Sequence, residues 1–120
     1  MLVIDDSKTM RSFLSYIARD LGFQTQEACD GLDALEVVRK SDPFVVALVD
    51  WDMPRMNGLD FVKAIRADPA HADLKLMMVT AQSSLTAVVE ALECGANDYL
   101  MKPITKEMVA DKLRVLGVIE

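Results

Sequence analysis

A chain of 120 residues, 52% of them hydrophobic, is the size of one domain and can bury its own core. Its net charge of −6 argues against the basic patch that binding to a nucleic-acid backbone requires. No apolar run approaches the ~18 residues of a membrane helix, and the first residues lack the basic start and cleavage site of a signal peptide.

The apolar run 1–4 reads as a first strand. Met10, Phe13, Leu14, Ile17, Ala18 and Leu21 then recur at helical spacing, and Gly22 stops that helix. Residues 23–28 read as a second strand. Asp30-Gly31 is a turn signal, and 32–40 form a helix on Leu32, Leu35 and Val38. Pro43 precedes a third strand at 45–49, apolar throughout, as a strand buried on both faces should be.

Asn57-Gly58 opens a third helix through Leu59, Val62 and Ile65, and 68–73 reads as a loop. A fourth strand covers 74–79 and leads into Thr80. Leu85, Val88, Val89 and Leu92 mark a fourth helix, which Gly95 ends. Residues 97–101 make a fifth strand. Pro103 blocks its continuation, and Thr105 begins a last helix with Met108, Val109, Leu113 and Leu116. There is no repeat, linker or low-complexity stretch. Alternating strand and helix with short loops implies a parallel sheet covered on both faces. Cys29 and Cys94 have no metal-type spacing, so reduced thiols in a cytoplasmic protein are expected.

Polar residues follow four of these strands: Asp5 and Asp6 the first, Asp50 the third, Thr80 the fourth and Lys102 the fifth. In a parallel sheet the strands' carboxyl ends share one crevice, the usual ligand site of an open α/β sheet. Three carboxylates, a hydroxyl and an ammonium in one cleft suit a divalent cation and a phosphoryl group. Asp50, on the central strand, is the best nucleophile. Mg²⁺ takes one or two carboxylates, keeps several waters and binds phosphate oxygens. Asp6 and Asp50 can supply the carboxylates, and Asp5 a water or the outer shell. Lys102 and Thr80 can hold phosphoryl oxygens. Taken singly, each has an ordinary explanation: an acidic helix cap, a turn residue, a strand threonine, a solvated lysine. Their joint placement at the strand ends is what points to chemistry. His71 lies in a polar loop and reads as a surface residue. The eight methionines read mostly as core filler, with Met53 and Met56 near the site.

The chain resembles the receiver domains of two-component response regulators over essentially its whole length. The residues that carry the resemblance are Val3-Ile-Asp-Asp-Ser7, Asp50-Trp-Asp-Met-Pro54 with Asn57-Gly58, Val79-Thr-Ala81, Gly95-Ala96, Asp98-Tyr99 and Lys102-Pro103. The run 5–11 and the Asp50-Trp51 pair look most like the chemotaxis regulators of the CheY type. The resemblance implies one receiver domain over 1–120, with the flavodoxin-like (βα)5 doubly wound fold and strand order 2-1-3-4-5. It implies Asp50 as the phosphoacceptor, charged by a sensor histidine kinase or a histidine phosphotransfer protein. Mg²⁺, or Mn²⁺ in its place, would be bound by Asp6, Asp50 and the main-chain carbonyl of Asp52, with Asp5 acting through water. Thr80, Lys102 and the amides of Trp51 and Ala81 would bind the phosphoryl group. Thr80 and Tyr99 would form a switch, and a downstream protein would dock on the face of the fourth helix, fifth strand and fifth helix. The Lys102-Pro103 bond is expected cis. Asp52 and Gln82 stand where the family tunes phosphate lifetime. Asparagine is the usual residue at the first of these positions in a chemotaxis protein, so Asp52 adds a carboxylate at the pocket mouth. The implied role is a cytoplasmic signalling protein, not an enzyme, without nucleic-acid contact or membrane insertion; dimerisation on phosphorylation is left open.

Two other classes share parts of the pattern. Asp50-Trp-Asp52 followed by Thr80 and Lys102 resembles the haloacid-dehalogenase phosphatases, but those place an acidic pair after the lysine. An FMN-binding flavodoxin would carry a loop rich in Ser, Thr and Gly where Asp5 and Asp6 stand. Within the receiver reading, a stand-alone protein is favoured over a fragment of a regulator with a DNA-binding or enzymatic output domain.

Overall fold

Five parallel strands lie in the order β2-β1-β3-β4-β5. They are β1 (Leu2–Ile4), β2 (Gln26–Ala28), β3 (Val46–Asp50), β4 (Lys75–Thr80) and β5 (Asp98–Met101). The helices between and after them are α1 (Lys8–Asp20), α2 (Gly31–Lys40), α3 (Gly58–Arg66), α4 (Leu85–Cys94) and α5 (Lys106–Val115). The computed structural model describes residues 1–41, 43–81 and 85–120. Gln82, expected to tune phosphate lifetime, lies outside the described residues.

The alternation of strand side chains divides the core into two layers. Leu2, Ile4, Ala47, Val49, Leu76 and Met78 face α2, α3 and α4, where Ala34, Leu35, Phe61, Val62, Ile65 and Ala91 cover them. Val3, Val46, Leu48, Met77, Val79 and Leu100 face the other way, onto Leu14, Ile17 and Ala18 of α1 and Val109 and Leu113 of α5. The flavodoxin-like (βα)5 architecture and its strand order are therefore as expected from the resemblance.

Four of the helices have a described polar cap at the end that faces the crevice. Ser7 Oγ accepts from the Met10 amide, Asp30 from Asp33, Asn57 from Asp60 and Thr105 from Met108. These oxygens satisfy amides that the first turn leaves unpaired, so the chain turns from strand into helix within a few residues of the strand ends.

Most strand boundaries shift by a single residue from expectation, and two differences are larger. The second strand is Gln26–Ala28, not 23–28. It is an edge strand, and its one neighbour, β1, offers three residues to pair with: Leu2, Val3 and Ile4. The stretch 68–73 contains a 3-10 turn, Pro69–His71, capped by Asp68. Its proline sits at a first-turn position, where no amide is needed.

Candidate functional site

Sheet register brings the acidic residues together. β1 pairs with β3 so that Ile4 stands beside Val49. Asp5 leaves the end of β1 and Asp50 closes β3, side by side, and Asp6 follows. Each of the three offers a carboxylate oxygen within 4.8 Å of the others. Asp5 and Asp50 are buried, and Asp6 faces solvent.

Lys102, just past β5, reaches across the sheet end. Its Nζ lies 3.2 Å from Asp50 Oδ1 and 3.9 Å from Asp5 Oδ2. The Lys102 amide donates to the Thr80 carbonyl at 2.8 Å, which holds the two strand ends together. The Lys102–Pro103 bond is cis. Thr80 is the last residue of β4 and is buried.

One ammonium does not balance three carboxylates in this space. Burial, and then the neighbouring Asp5, push the Asp50 carboxyl up to about 6, against the pull of Lys102. Burial also raises the Asp5 carboxyl, although the Ser7 amide and Lys102 oppose it. Asp5 Oδ1 accepts the Ser7 amide at 2.9 Å. Its Oδ2 is buried and accepts no hydrogen bond among the described residues. An orphaned buried carboxylate oxygen in a set of hard oxygen donors fits a divalent cation with retained waters. The donor set therefore suits Mg²⁺.

The loop after Asp50 is pressed against the sheet. The Gly58 amide donates to the Trp51 carbonyl at 2.9 Å. A Cβ on Gly58 would lie 2.2 Å from the Asp50 carbonyl oxygen, so only glycine permits this approach. The Trp51 amide donates to Val79 O at 3.2 Å, so a phosphoryl oxygen would have to replace that long bond. Asp52 and Ala81 are exposed at the rim. Met53 and Met56 pack against the core from this loop.

Tyr99, on β5, is half-buried and lies away from the acidic cluster, over the α2–α4 side of the core. His71 is partly buried beyond α3, 3.6 Å from Asp68, and takes no part in the site. Cys29 and Cys94 are free thiols.

Three supporting residues were not anticipated from sequence. Arg11 Nη1 donates to the Asp5 carbonyl at 2.7 Å, and its Nε to Glu27. Arg55 and Asp30 pair across two loops at 2.7 Å. Arg11 lies in the run 5–11 that carries the resemblance, but no supporting role was expected of it.

Residues 1–114 match the family described as the response regulator receiver domain. The chain belongs to that family. This receiver domain is 43% identical to the chemotaxis protein CheY-3 of Vibrio cholerae over 114 residues, covering 94% of this chain and 87% of the relative. It is 39% identical to a chemotaxis protein CheY homolog of Campylobacter jejuni over 119 residues, covering 98% and 92%. Among solved structures, the receiver domain superposes on the chemotaxis protein CheY4 of Vibrio cholerae with a TM-score of 0.88, 32% identity and coverage of 95% and 94%. It also matches a probable two-component system response regulator/GGDEF domain protein with a TM-score of 0.89 and 26% identity, covering 98% of this chain and 48% of that one.

Proposed function

We propose that this receiver domain takes a phosphoryl group onto Asp50 from the phosphohistidine of a sensor kinase or of a histidine phosphotransfer protein. The observation that carries the reading is the ammonium of Lys102 against Asp50 Oδ1, within a nest of three carboxylates at the strand ends. An Asp50 oxygen attacks phosphorus, a P–O bond forms, and the P–N bond breaks with its electron pair leaving on the imidazole. Bound Mg²⁺, or Mn²⁺, would neutralise charge on the phosphoryl oxygens, with Asp6, Asp50 and the Asp52 carbonyl as ligands and Asp5 acting through water. Lys102 Nζ, already at the acceptor, pairs with a phosphoryl oxygen, and the Thr80 hydroxyl and the Trp51 and Ala81 amides donate to others.

The domain works as a self-charging acceptor and not as an enzyme turning over a separate substrate. New charge of about −1.5 to −2 at Asp50 draws Thr80 toward it. Tyr99 then moves inward and changes the face of α4, β5 and α5. That face is where a downstream protein docks: Leu85, Val89 and Leu92 of α4 and Met101 of β5 are exposed there.

The reading places the protein in the cytoplasm; among the described residues no helix is long and apolar enough to cross a membrane. A stand-alone chemotaxis-type role is favoured by relatives named as chemotaxis proteins and matched over most of their length. The alternative is a longer regulator with an output domain, favoured by the match to part of a response regulator/GGDEF domain protein.

The test is intact mass after incubation with acetyl phosphate and Mg²⁺. Wild type should gain one phosphoryl group and Asp50→Asn none. Equal uptake by both would remove Asp50 from its role.

A further inference from the structure

The loop at 51–57 carries the Trp51 amide and the Asp52 carbonyl, and its far end is fastened to a different loop. Arg55 Nε donates to Asp30 Oδ2 at 2.7 Å. Asp30 is only 3% exposed, while its partner's side chain lies largely in solvent. The guanidinium beside it holds the Asp30 carboxyl below the usual carboxylate range. Asp30 Oδ1 meanwhile caps α2 through the Asp33 amide at 2.9 Å. One buried carboxylate thus serves the start of α2 and the 51–57 loop together.

A second contact runs alongside. The Gly31 amide donates to the Met56 carbonyl at 3.0 Å. A Cβ on Gly31 would fall 2.6 Å from Met56 Cγ, so the two loops touch backbone to side chain. Arg55 itself has φ +62°, in the left-handed region that residues with a Cβ avoid. It is the one described non-glycine residue with positive φ. The Met56 amide donates to the Pro54 carbonyl at 2.7 Å across this residue, and the ion pair to a buried carboxylate is the contact that the Arg55 side chain itself adds.

We propose that Asp30 and Arg55 form a tether that positions the 51–57 loop, and with it the Asp52 carbonyl and the Trp51 amide, for the cation and the phosphoryl group. The inference rests on the reading of the pocket given above. Both are positioning residues: neither belongs to the acidic cluster at Asp5, Asp6 and Asp50. Two simpler roles compete. Asp30 could serve α2 alone as its cap, in which case Arg55 is dispensable. Arg55 could act only through its charge, and the sign then reverses: removing a cation near an acidic pocket strengthens cation binding.

Calorimetric titration of the purified chain with Mg²⁺ alone separates these. Arg55→Asn removes the guanidinium, yet asparagine tolerates the left-handed conformation. Asp30→Asn keeps a good capping oxygen for α2 but loses the charge. Each should weaken Mg²⁺ binding about three- to tenfold, at or just below the range for outer-shell partners of metal ligands. The double variant should be no weaker than the worse single one, because one linkage is being cut twice. Arg55→Lys should recover part of the loss. Unchanged or tighter Mg²⁺ binding in Arg55→Asn would overturn the tether, as would additive losses in the double variant. If wild type takes up no Mg²⁺, the pocket reading fails and the tether falls with it. If wild type binds Mg²⁺ and Arg55→Asn matches it, the tether alone fails.

Discussion

Lys112 Nζ of α5 sits 5.2 Å from the centre of the Tyr99 ring of β5 while it pairs with Asp98 Oδ1 at 3.0 Å. Asp98 Oδ1 also accepts the Tyr99 amide. The residue proposed to switch is therefore steadied from α5 by a cation over its face, an interaction worth about 0.5–1 kcal/mol at an exposed site.

Lys112→Ala should free the ring. Tyr99 ring resonances are expected to move toward their beryllofluoride-bound positions before any beryllofluoride is added, and to change less on its addition. Wild-type ring shifts in both states of the variant would show that Lys112 does not restrain Tyr99.

Stability should depend on pH through Asp50. Its folded carboxyl titrates at about 6, above its ordinary 3.8. Between those values the folded state binds more protons than the unfolded one, so stability falls as pH rises through that window. Asp50→Asn removes the burden. In metal-free buffer the variant should gain on the order of 1 kcal/mol at neutral pH, after allowance for screening, or roughly 4 °C in melting temperature. The difference should close toward pH 4. Parallel melting curves across the pH range would contradict the buried, repelled state of Asp50.

Asp6 and Lys102 should separate metal from phosphoryl binding. Asp6→Asn is expected to weaken Mg²⁺ binding by about tenfold or more, since it removes a carboxylate from the proposed ligand set. Lys102→Ala takes an ammonium away from three carboxylates, so Mg²⁺ should bind at least as well. Phosphoryl uptake from acetyl phosphate should nonetheless slow by about 100-fold, as when a preorganised charge partner is lost. Trp51, the chain's single tryptophan, offers an emission signal for both titrations. Asp6→Asn binding Mg²⁺ like wild type would remove it from the ligand set.

Gly58→Ala should be costly far beyond its size. The added methyl would meet the Asp50 carbonyl at 2.2 Å and must push α3 away from β3. A loss of about 2–3 kcal/mol in urea unfolding is expected from overpacking, with weaker Mg²⁺ binding in the folded fraction. A variant as stable as wild type would show that α3 can shift freely against the acceptor strand.

Strand ends were legible because the pattern repeats: an apolar run, then a residue with chemistry, at Ile4-Asp5, Val49-Asp50, Val79-Thr80 and Met101-Lys102. Parallel pairing turns that linear repetition into proximity, and Asp5 and Asp50 meet as the strand ends imply. The strand order came from the resemblance, since hydropathy does not say which strand neighbours which. The Asp30–Arg55 contact spans 25 positions and joins two loops. No period or spacing encodes it, and Asp30 by itself read only as a turn signal. The second strand was overdrawn for a related reason. Residues 23–25 lie outside the ladder, with the Phe23 amide donating to Ala18 O and the Gln24 carbonyl accepting from the Met1 ammonium, and pairing depends on how far β1 extends, not on the propensity of residues 23–28 themselves.

That short outer strand has a consequence for self-association. β2 has three residues, of which Gln26 and Glu27 are exposed. β5, on the opposite side of the sheet, has four, beginning with Asp98 and ending in Met101. Neither border offers a long, flat ladder of free amides and carbonyls, and the polar or charged residues on both disfavour strand addition by another chain. Any association of two copies would therefore run through their helices and not by strand addition, leaving each sheet closed to the other.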